Sequence, residues 1–180
     1  MKNFDFRIPY QAGILTLISF LPLFGFEIVR SGKNLTTSLA GLYVFTIIAS
    51  TLVTLVFIYG FYVLGKEEKS EPLLLSSSIS MIFSVLSSSY TIALIYIPSL
   101  ESSPVLPIAV LIVAGAIEFF FSYSLFGLQD RFGKTAKNNA IWGIILGISY
   151  MTFFLAFIGL ILLVPVYWMR VKLLKQASEE

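Results

Sequence analysis

The sequence of 180 residues contains no cysteine and no histidine. This double absence excludes thiolate and imidazole metal sites, histidine-ligated haem, cysteine nucleophiles and the most common general base of enzymes. We therefore predict no metal site and no cofactor. Charged residues are also scarce, at 12% of the chain, whereas a soluble domain has about 25%.

Apolar residues fill the chain instead: 57% are hydrophobic, and the mean hydropathy is +0.90. The charges lie in short clusters between apolar runs at about residues 9–29, 39–65, 73–98, 104–128 and 139–174. Because about 20 apolar residues in a helix cross the roughly 30 Å of a bilayer core, each run can span a membrane. The sequence predicts an all-α fold, a single integral membrane domain over residues 1–180 built as a polytopic helix bundle.

The number of spans depends on the last run, whose 36 residues would make a helix of about 54 Å. That is too long for one crossing, so the run either extends out of the membrane or doubles back as two short spans. Cytoplasmic loops are enriched in Lys and Arg. With five spans the two sides carry seven and five basic residues, and with six spans they carry ten and two. We therefore favour six spans in the cell membrane with both termini cytoplasmic, and keep five as the alternative.

Hydroxyl groups are unusually dense in the third run, where Ser76, Ser80, Ser84 and Ser88 recur every four residues. Positions four apart share one face of a helix, so these residues form a continuous stripe. Close helix packing explains such a stripe, because small side chains let backbones approach and each hydroxyl can bond its own helix. We interpret the glycine pair of "WGIILG", Gly143 and Gly147, in the same way.

Glu118 is the acidic residue that interrupts the fourth run, with no Lys or Arg in that span. A charged side chain near the centre of a bilayer costs about 2.5–3.5 kcal/mol or more and often marks a functional site. Aligning the midpoints of the third and fourth runs places serines at its level. We predict a polar centre made of Glu118, Ser84, Ser87, Ser88 and Ser122. Its role is either a proton or cation relay or a structural acid that fixes helix register. At the end of the first run, Glu27 and Arg30 are expected to neutralise each other.

Residues 114–163 carry a resemblance to a known family, in "AGAIEFFFSYSLFGLQDRFGKTAKNNAIWGIILG" followed by "FIGLILL". This stretch resembles the second half of an archaeal multi-pass membrane family known as domain of unknown function 996, and "AGILTLISFLPLFGF" resembles its opening. The resemblance implies an archaeal protein of six helices with duplicated halves, and no activity. The similar hairpins "FIYGFYVLGKEEKSEPLLLSSSI" and "FFSYSLFGLQDRFGKTAKNNAIW" agree with a parallel repeat, with chance likeness as the alternative.

Three classes of function remain at this point. We favour a non-catalytic bundle or subunit that packs with other membrane proteins, or with further copies of itself, in the lipid bilayer. The alternative is a small transporter or channel that uses Glu118. We do not expect an enzyme, because no paired carboxylates at ligand spacing occur. A net charge of +2 gives no indication of nucleic-acid binding.

Overall fold

The computed structural model describes residues 4–32, 35–97, 99–100, 105–152 and 155–179. Its helices are α1 (Arg7–Ser31), α2 (Thr37–Glu67), α3 (Glu71–Tyr96), α4 (Val105–Ser124), α5 (Gln129–Met151) and α6 (Ala156–Glu179), and a 3-10 helix, Leu125–Leu128, joins α4 to α5. These ranges contain no strand, so the prediction of an all-helical fold is confirmed.

Five helical segments in the described ranges are long and apolar enough to cross a membrane, which agrees with a multi-pass membrane protein. The fourth of them, Val105–Met151, contains both α4 and α5. Length and composition therefore give five candidate spans, and the predicted count of six is not confirmed. The last apolar run of the sequence is nevertheless divided, because α5 ends at Met151 and α6 begins at Ala156.

Local chemistry sets several helix boundaries. The carboxylate of Asp5 accepts a hydrogen bond from the backbone N–H of Arg7 at 2.9 Å, where α1 begins. The hydroxyl of Thr36 accepts from the N–H of Leu39 at 3.4 Å at the start of α2. These side chains satisfy N–H groups that the first turn of a helix leaves without partners. Within α5, Gly133 has a φ of 54° and a ψ of −128°, which marks a kink that a residue without Cβ tolerates best.

Consecutive helices run antiparallel. Along the contact of α1 with α2, Thr16 meets Thr54 and Ser19, further along α1, meets Ser50, which lies earlier on α2. The same reversal relates α4 to α5, so the segment Val105–Met151 folds back on itself. We call the end of the bundle where α1 begins and α6 ends the terminal end. The other end, where α1 ends and α6 begins, is the opposite end.

The buried apolar core lies towards the terminal end. Its largest fully buried side chains include Phe57, Phe61, Leu64, Leu73, Leu125, Leu128, Leu173 and Leu174. At this end Arg131, near the start of α5, forms an ion pair with two acids near the end of α2. Its Nη1 lies 2.6 Å from Glu68 and 3.4 Å from Glu67. By contrast, α3 has no buried residue beyond Ser77 as it runs to the opposite end. The part of the bundle formed by α1, α2, α3 and α6 is therefore closed at the terminal end and loosely packed at the other.

Glycines permit a close backbone contact between α4 and α5. A Cβ added to Gly115 would lie 2.6 Å from the carbonyl oxygen of Gly147 and 2.7 Å from the backbone nitrogen of Met151. A Cβ on Gly147 would lie 2.7 Å from the nitrogen of Phe119. All of these neighbours are backbone atoms and cannot rotate away. The predicted packing role of Gly147 is confirmed, and its partner glycine is Gly115.

We expect Gly115→Ala to lower the free energy of unfolding by about 1–3 kcal/mol, because the new methyl group overpacks a backbone contact. Thermal melting of the purified protein in detergent, followed by far-ultraviolet circular dichroism, measures this effect. Gly25→Ala and Gly41→Ala are matched controls, since an added Cβ meets nothing within 4 Å at either position. Equal melting temperatures for Gly115→Ala and Gly41→Ala would show that the close contact does not exist.

Candidate functional site

A buried ion pair connects α4 to α6. The side chains of Glu118 on α4 and Arg170 on α6 are only 14% and 5% exposed. Arg170 donates from Nη1 to Oε2 of Glu118 at 3.1 Å and from Nη2 to Oε1. The planar guanidinium thus meets the carboxylate at two points, which fixes the orientation of both groups.

Ser122 completes this cluster from the next turn of α4. Its hydroxyl donates to Oε1 of Glu118 at 3.0 Å and accepts from Nη2 of Arg170 at 3.0 Å. Gly143 of α5 lies against the same two residues, and a Cβ there would collide with Ser122 and lie 3.2 Å from Oε1 of Glu118. Gly143 therefore provides the room that the polar cluster occupies.

Aromatic rings surround the guanidinium. Its central carbon lies 4.6 Å from the ring centroid of Phe121 and 5.3 Å from that of Tyr167. The negative face of an aromatic ring attracts a cation, and this attraction is stronger where water is excluded. The rings therefore offset part of the cost of removing Arg170 from water.

A small cavity of about 150 Å³ lies beside the ion pair. Glu118 and Arg170 line it together with Tyr150, Tyr167 and Ser84. The Nε of Arg170 is buried and has no hydrogen-bond partner among the described residues. Nε thus makes no hydrogen bond to a described residue, while the other two nitrogens of the guanidinium are engaged.

A larger cavity of about 710 Å³ lies between α1, α2, α3 and α6, towards the opposite end. This volume is within the range of about 300–1,000 Å³ that is typical of small-molecule sites. Seven hydroxyls from α2 and α3 form one wall, and apolar side chains of α1 and α6 form the other. The hydroxyl wall consists of Ser50, Thr51, Thr54, Ser84, Ser87, Ser88 and Thr91. Ser84 and Leu163 line both cavities, so the two are neighbours.

A second acid, Glu27, faces the larger cavity near the end of α1. Arg30 donates to its Oε2 at 2.8 Å from Nη2 and at 3.0 Å from Nε, which confirms the predicted pair. Tyr43 of α2 donates its phenolic hydrogen to the other oxygen, Oε1. Tyr43 is almost completely buried and lines the cavity beside Glu27.

The structure brings together part of the predicted polar centre. Glu118 and Ser122 are in contact, and Ser84 lines the small cavity beside them while donating to the carbonyl of Ser80 at 2.8 Å. Ser87 and Ser88 instead line the larger cavity. There Ser87 donates to the carbonyl of Ser84, and Ser88 bonds Thr51 of α2. The expectation that these two serines hold the carboxyl group is not met.

The reason is a difference in depth. Helix α4 ends at Ser124, six residues after Glu118, which is about 9 Å at the helical rise. Ser124 lies level with Ser76 of α3, at 2.9 Å between their hydroxyl oxygens, and Ser87 follows Ser76 by 11 residues, about 16 Å. Aligning the midpoints of the apolar runs therefore placed Glu118 too far from the terminal end.

Arg170 is the site residue that the sequence reasoning missed, because it was counted with the basic residues that flank the membrane. One signal was available. Residues 153–169 carry no charge, so Arg170 is the first charged residue of the last helix. It follows 14 residues of α6, about 21 Å from the opposite end, and Glu118 follows 13 residues of α4 from that same end. Equal depth and opposite charge together indicate the pair.

No protein-family model, curated protein or solved structure matches the chain. The resemblance to the archaeal family stays a prediction, and the question of function rests on the geometry.

We expect Arg170→Met to lower the free energy of unfolding by about 3–5 kcal/mol, because it leaves the carboxylate of Glu118 buried without its counter-charge. Combining it with Glu118→Leu should restore most of that loss, since no buried charge then remains. Unfolding in mixed micelles by increasing fractions of sodium dodecyl sulfate, followed by circular dichroism, gives both values.

Arg131→Met is the matched control, because Arg131 is 26% exposed and pairs with two acids that are also partly exposed. We expect a loss of no more than about 1 kcal/mol at that position. If Arg170→Met cost no more than Arg131→Met, the Glu118 pair would contribute nothing special to the fold.

Proposed function

We propose that this chain is a small multi-pass membrane transporter. Its larger cavity receives a solute from the opposite end of the bundle, and the pair of Glu118 and Arg170 closes the path towards the terminal end. The observation that carries the proposal is the shared lining of the two cavities at Ser84 and Leu163. A solute in the larger cavity would lie next to the buried ion pair.

The asymmetry of packing supports this proposal. The apolar core and the ion pair of Arg131 with Glu67 and Glu68 lie towards the terminal end, while the larger cavity lies towards the other. Transporters that work by alternating access expose a central site to one side of the membrane at a time. A bundle closed at one end and hollow at the other corresponds to one such state.

Two prolines add support, because they weaken the helices that form the apolar wall of the larger cavity. Pro22 lies inside α1 between the lining residues Leu21 and Leu23, and Pro165 lies inside α6 next to the lining residue Val164. A proline inside a helix removes one backbone hydrogen bond and is a common point of bending. α1 and α6 thus have places to bend where the cavity would have to close.

We further propose that α4 and α5 cross the cell membrane separately, which gives six crossings with both termini cytoplasmic. Ten of the twelve Lys and Arg residues belong to the terminal end on this topology, and subtracting the paired Arg170 leaves nine against two. The hairpins α2–α3 and α4–α5 then both turn on the cytoplasmic side, as the predicted repeat requires.

A subunit that packs with other membrane proteins, or with a second copy of the chain, is the second candidate function. The observation that favours it is the exposure of α3, whose most apolar 18-residue window contains no buried residue. Ser89 is exposed on this helix, and its hydroxyl bonds only the carbonyl of Val85 among the described residues. Small hydroxylated faces of this kind are typical of contacts between membrane helices.

Thiol labelling distinguishes the two functions, because the natural chain has no cysteine to interfere. We expect Ser87→Cys, in the larger cavity, to react with a membrane-impermeant maleimide added to the opposite end in oriented vesicles. Ser76→Cys is the control on the same helix, since Ser76 is fully buried at the terminal end and should not react. Protection of Ser87→Cys from both sides would contradict a solvent-accessible cavity and favour the subunit.

The role of the ion pair is tested in the same vesicles with Glu118→Gln, which keeps hydrogen bonding but removes the charge that holds Arg170. We expect Ser76→Cys to become reactive from the terminal end in this background, because the closure there is weakened. Continued protection of Ser76→Cys would show that the pair does not close the path. In liposomes, proton flux unchanged by Glu118→Gln would exclude the proton-relay version of the proposal.

A further inference from the structure

We infer that the ligand of the larger cavity is a hydrophobic amine, bound as its ammonium cation. Transport of such an amine rests on the proposed function. Binding of the amine rests only on the hydrogen bonds that the hydroxyls of the cavity wall already make. A hydroxyl carries one hydrogen and two lone pairs, so the partner of that hydrogen decides what the oxygen offers to a ligand.

On α3, three lining hydroxyls donate to their own helix. Ser84 donates to the carbonyl of Ser80 at 2.8 Å, Ser87 to that of Ser84 at 3.2 Å, and Thr91 to that of Ser87 at 3.0 Å. These bonds consume the hydrogens and leave the oxygen lone pairs. This part of the wall can accept hydrogen bonds and has none to give.

Between α2 and α3, the single hydrogen of each hydroxyl determines the direction of a further bond. Thr51 donates to the carbonyl of Ile47 at 2.7 Å, so its contact of 2.6 Å with Ser88 requires Ser88 to be the donor. Both hydrogens are engaged. Thr51 and Ser88 therefore present acceptors alone to the cavity.

Between α1 and α2, the single hydrogen of each hydroxyl again determines the direction of the bonds. Ser19 donates to the carbonyl of Thr16 at 2.7 Å, so Ser50 must donate to Ser19, at 2.7 Å. Thr54 lies 3.5 Å from the hydroxyl of Thr16, which is too long to commit its hydrogen. Six of the seven lining hydroxyls thus have their hydrogens committed elsewhere in the protein, and Thr54 is the exception.

The remaining polar groups of the wall are acceptors as well. Tyr43 gives its hydrogen to Glu27, and Glu27 is a carboxylate. Pro165 has no N–H to donate to the carbonyl of Ile161, another lining residue, so that oxygen lacks its usual helical partner. No Lys, Arg, Asn, Gln or Trp lines this cavity among the described residues. Apart from the hydroxyl of Thr54, the described wall offers no side-chain donor.

A cavity of this kind selects by charge. An ammonium group brings donors and no acceptor, so it matches the wall, whereas a carboxylate or phosphate would be buried with no side-chain donor but the hydroxyl of Thr54. Phe20, Phe24 and Phe157 on the other wall suit an apolar body, and aromatic faces attract cations. The ligand class that satisfies both walls is an amine with a hydrophobic body.

Arg30 is the basic residue in contact with the carboxylate of Glu27. Its positive charge reduces the negative potential that this carboxylate produces in the cavity. Its two donors both reach Oε2, while Oε1 accepts only the hydrogen of Tyr43 among the described residues. A carboxylate oxygen has two lone pairs, so Oε1 retains one. Arg30 itself does not line the cavity. Glu27 therefore remains the anionic contact for a ligand.

Three fluorescent probes test the inference on the full chain in nanodiscs of zwitterionic lipid. Each carries a dansyl group on a five-carbon chain, ending in an ammonium, a hydroxyl or a carboxylate. We expect the ammonium probe to bind about ten-fold more tightly than the hydroxyl probe, and the carboxylate probe to bind most weakly. Equal affinities, or tighter binding of the carboxylate, would overturn the inference. Equal affinities would also show that the larger cavity binds apolar chains whatever polar group they end in.

Substitutions in the cavity wall test which residues bind the ammonium group. Glu27→Gln should weaken the ammonium probe about ten-fold and leave the hydroxyl probe unchanged. The double change Ser87→Ala and Ser88→Ala should also weaken the ammonium probe. Its matched control is Ser78→Ala with Ser89→Ala, because those hydroxyls bond Leu74 and Val85 of their own helix and do not line the cavity. An equal loss in both double variants would contradict a role for the lining hydroxyls.

Uptake into proteoliposomes separates failure of this inference from failure of the proposed function, with protein-free vesicles as the reference for passive entry. Selective binding of the ammonium probe without uptake above that reference would refute transport and leave the ligand class intact. Uptake of all three probes at equal rates would refute the ligand class and leave transport intact. We expect uptake of the ammonium probe alone.

Discussion

Two opposite charges, Glu118 on α4 and Arg170 on α6, are held inside the bundle between aromatic rings and one serine hydroxyl. Neither charge is tolerable there alone, because removing an ion from water costs several kcal/mol that only a well-placed partner offsets. The rest of the site is arranged around this requirement. Gly143 leaves space for the cluster, and a shift of α6 along α4 would separate the charges. We therefore propose that the pair fixes the register of helices that apolar packing alone would allow to slide.

The two ends of the bundle differ in packing because different kinds of side chain lie between their helices. Towards the terminal end, phenylalanine and leucine side chains fill the space between helices, and a glycine on α1, Gly13, lies against Phe57 and Val171. At the opposite end, serine and threonine occupy the faces of α2 and α3 that point towards α1 and α6. A hydroxyl side chain is too short to reach the apolar residues across from it, and the result is a cavity of about 710 Å³. Composition along each helix therefore decides where the bundle is solid and where it is hollow.

The helical, membrane-type fold could be predicted because it follows from the spacing of charges, which the sequence displays directly. The start of α5 could not be predicted in the same way, since the polar stretch "QDRFGKTAKNN" is typical of a loop but forms the first turns of the helix from Gln129 onwards. The site was only half predicted. Glu118 and Ser122 are one turn apart on one helix, a relation that sequence spacing defines. The contact with Arg170, 52 residues away, depends on which helices become neighbours, and periodicity carries no information on that.

Hydrogen-bond direction links the larger cavity to the ion pair beneath it. A serine is tolerated in an apolar helix because it donates to its own backbone, and that same bond leaves it able only to accept from a ligand. An ammonium ligand drawn along such a wall to Ser84 would meet Glu118, the next acceptor, already occupied by Arg170. Both cations would then compete for one carboxylate, and the ligand could gain that contact only as Arg170 released it. Ligand binding in the larger cavity would thereby weaken the ion pair that closes the path towards the terminal end. Ligand binding and opening of that path would then be directly coupled.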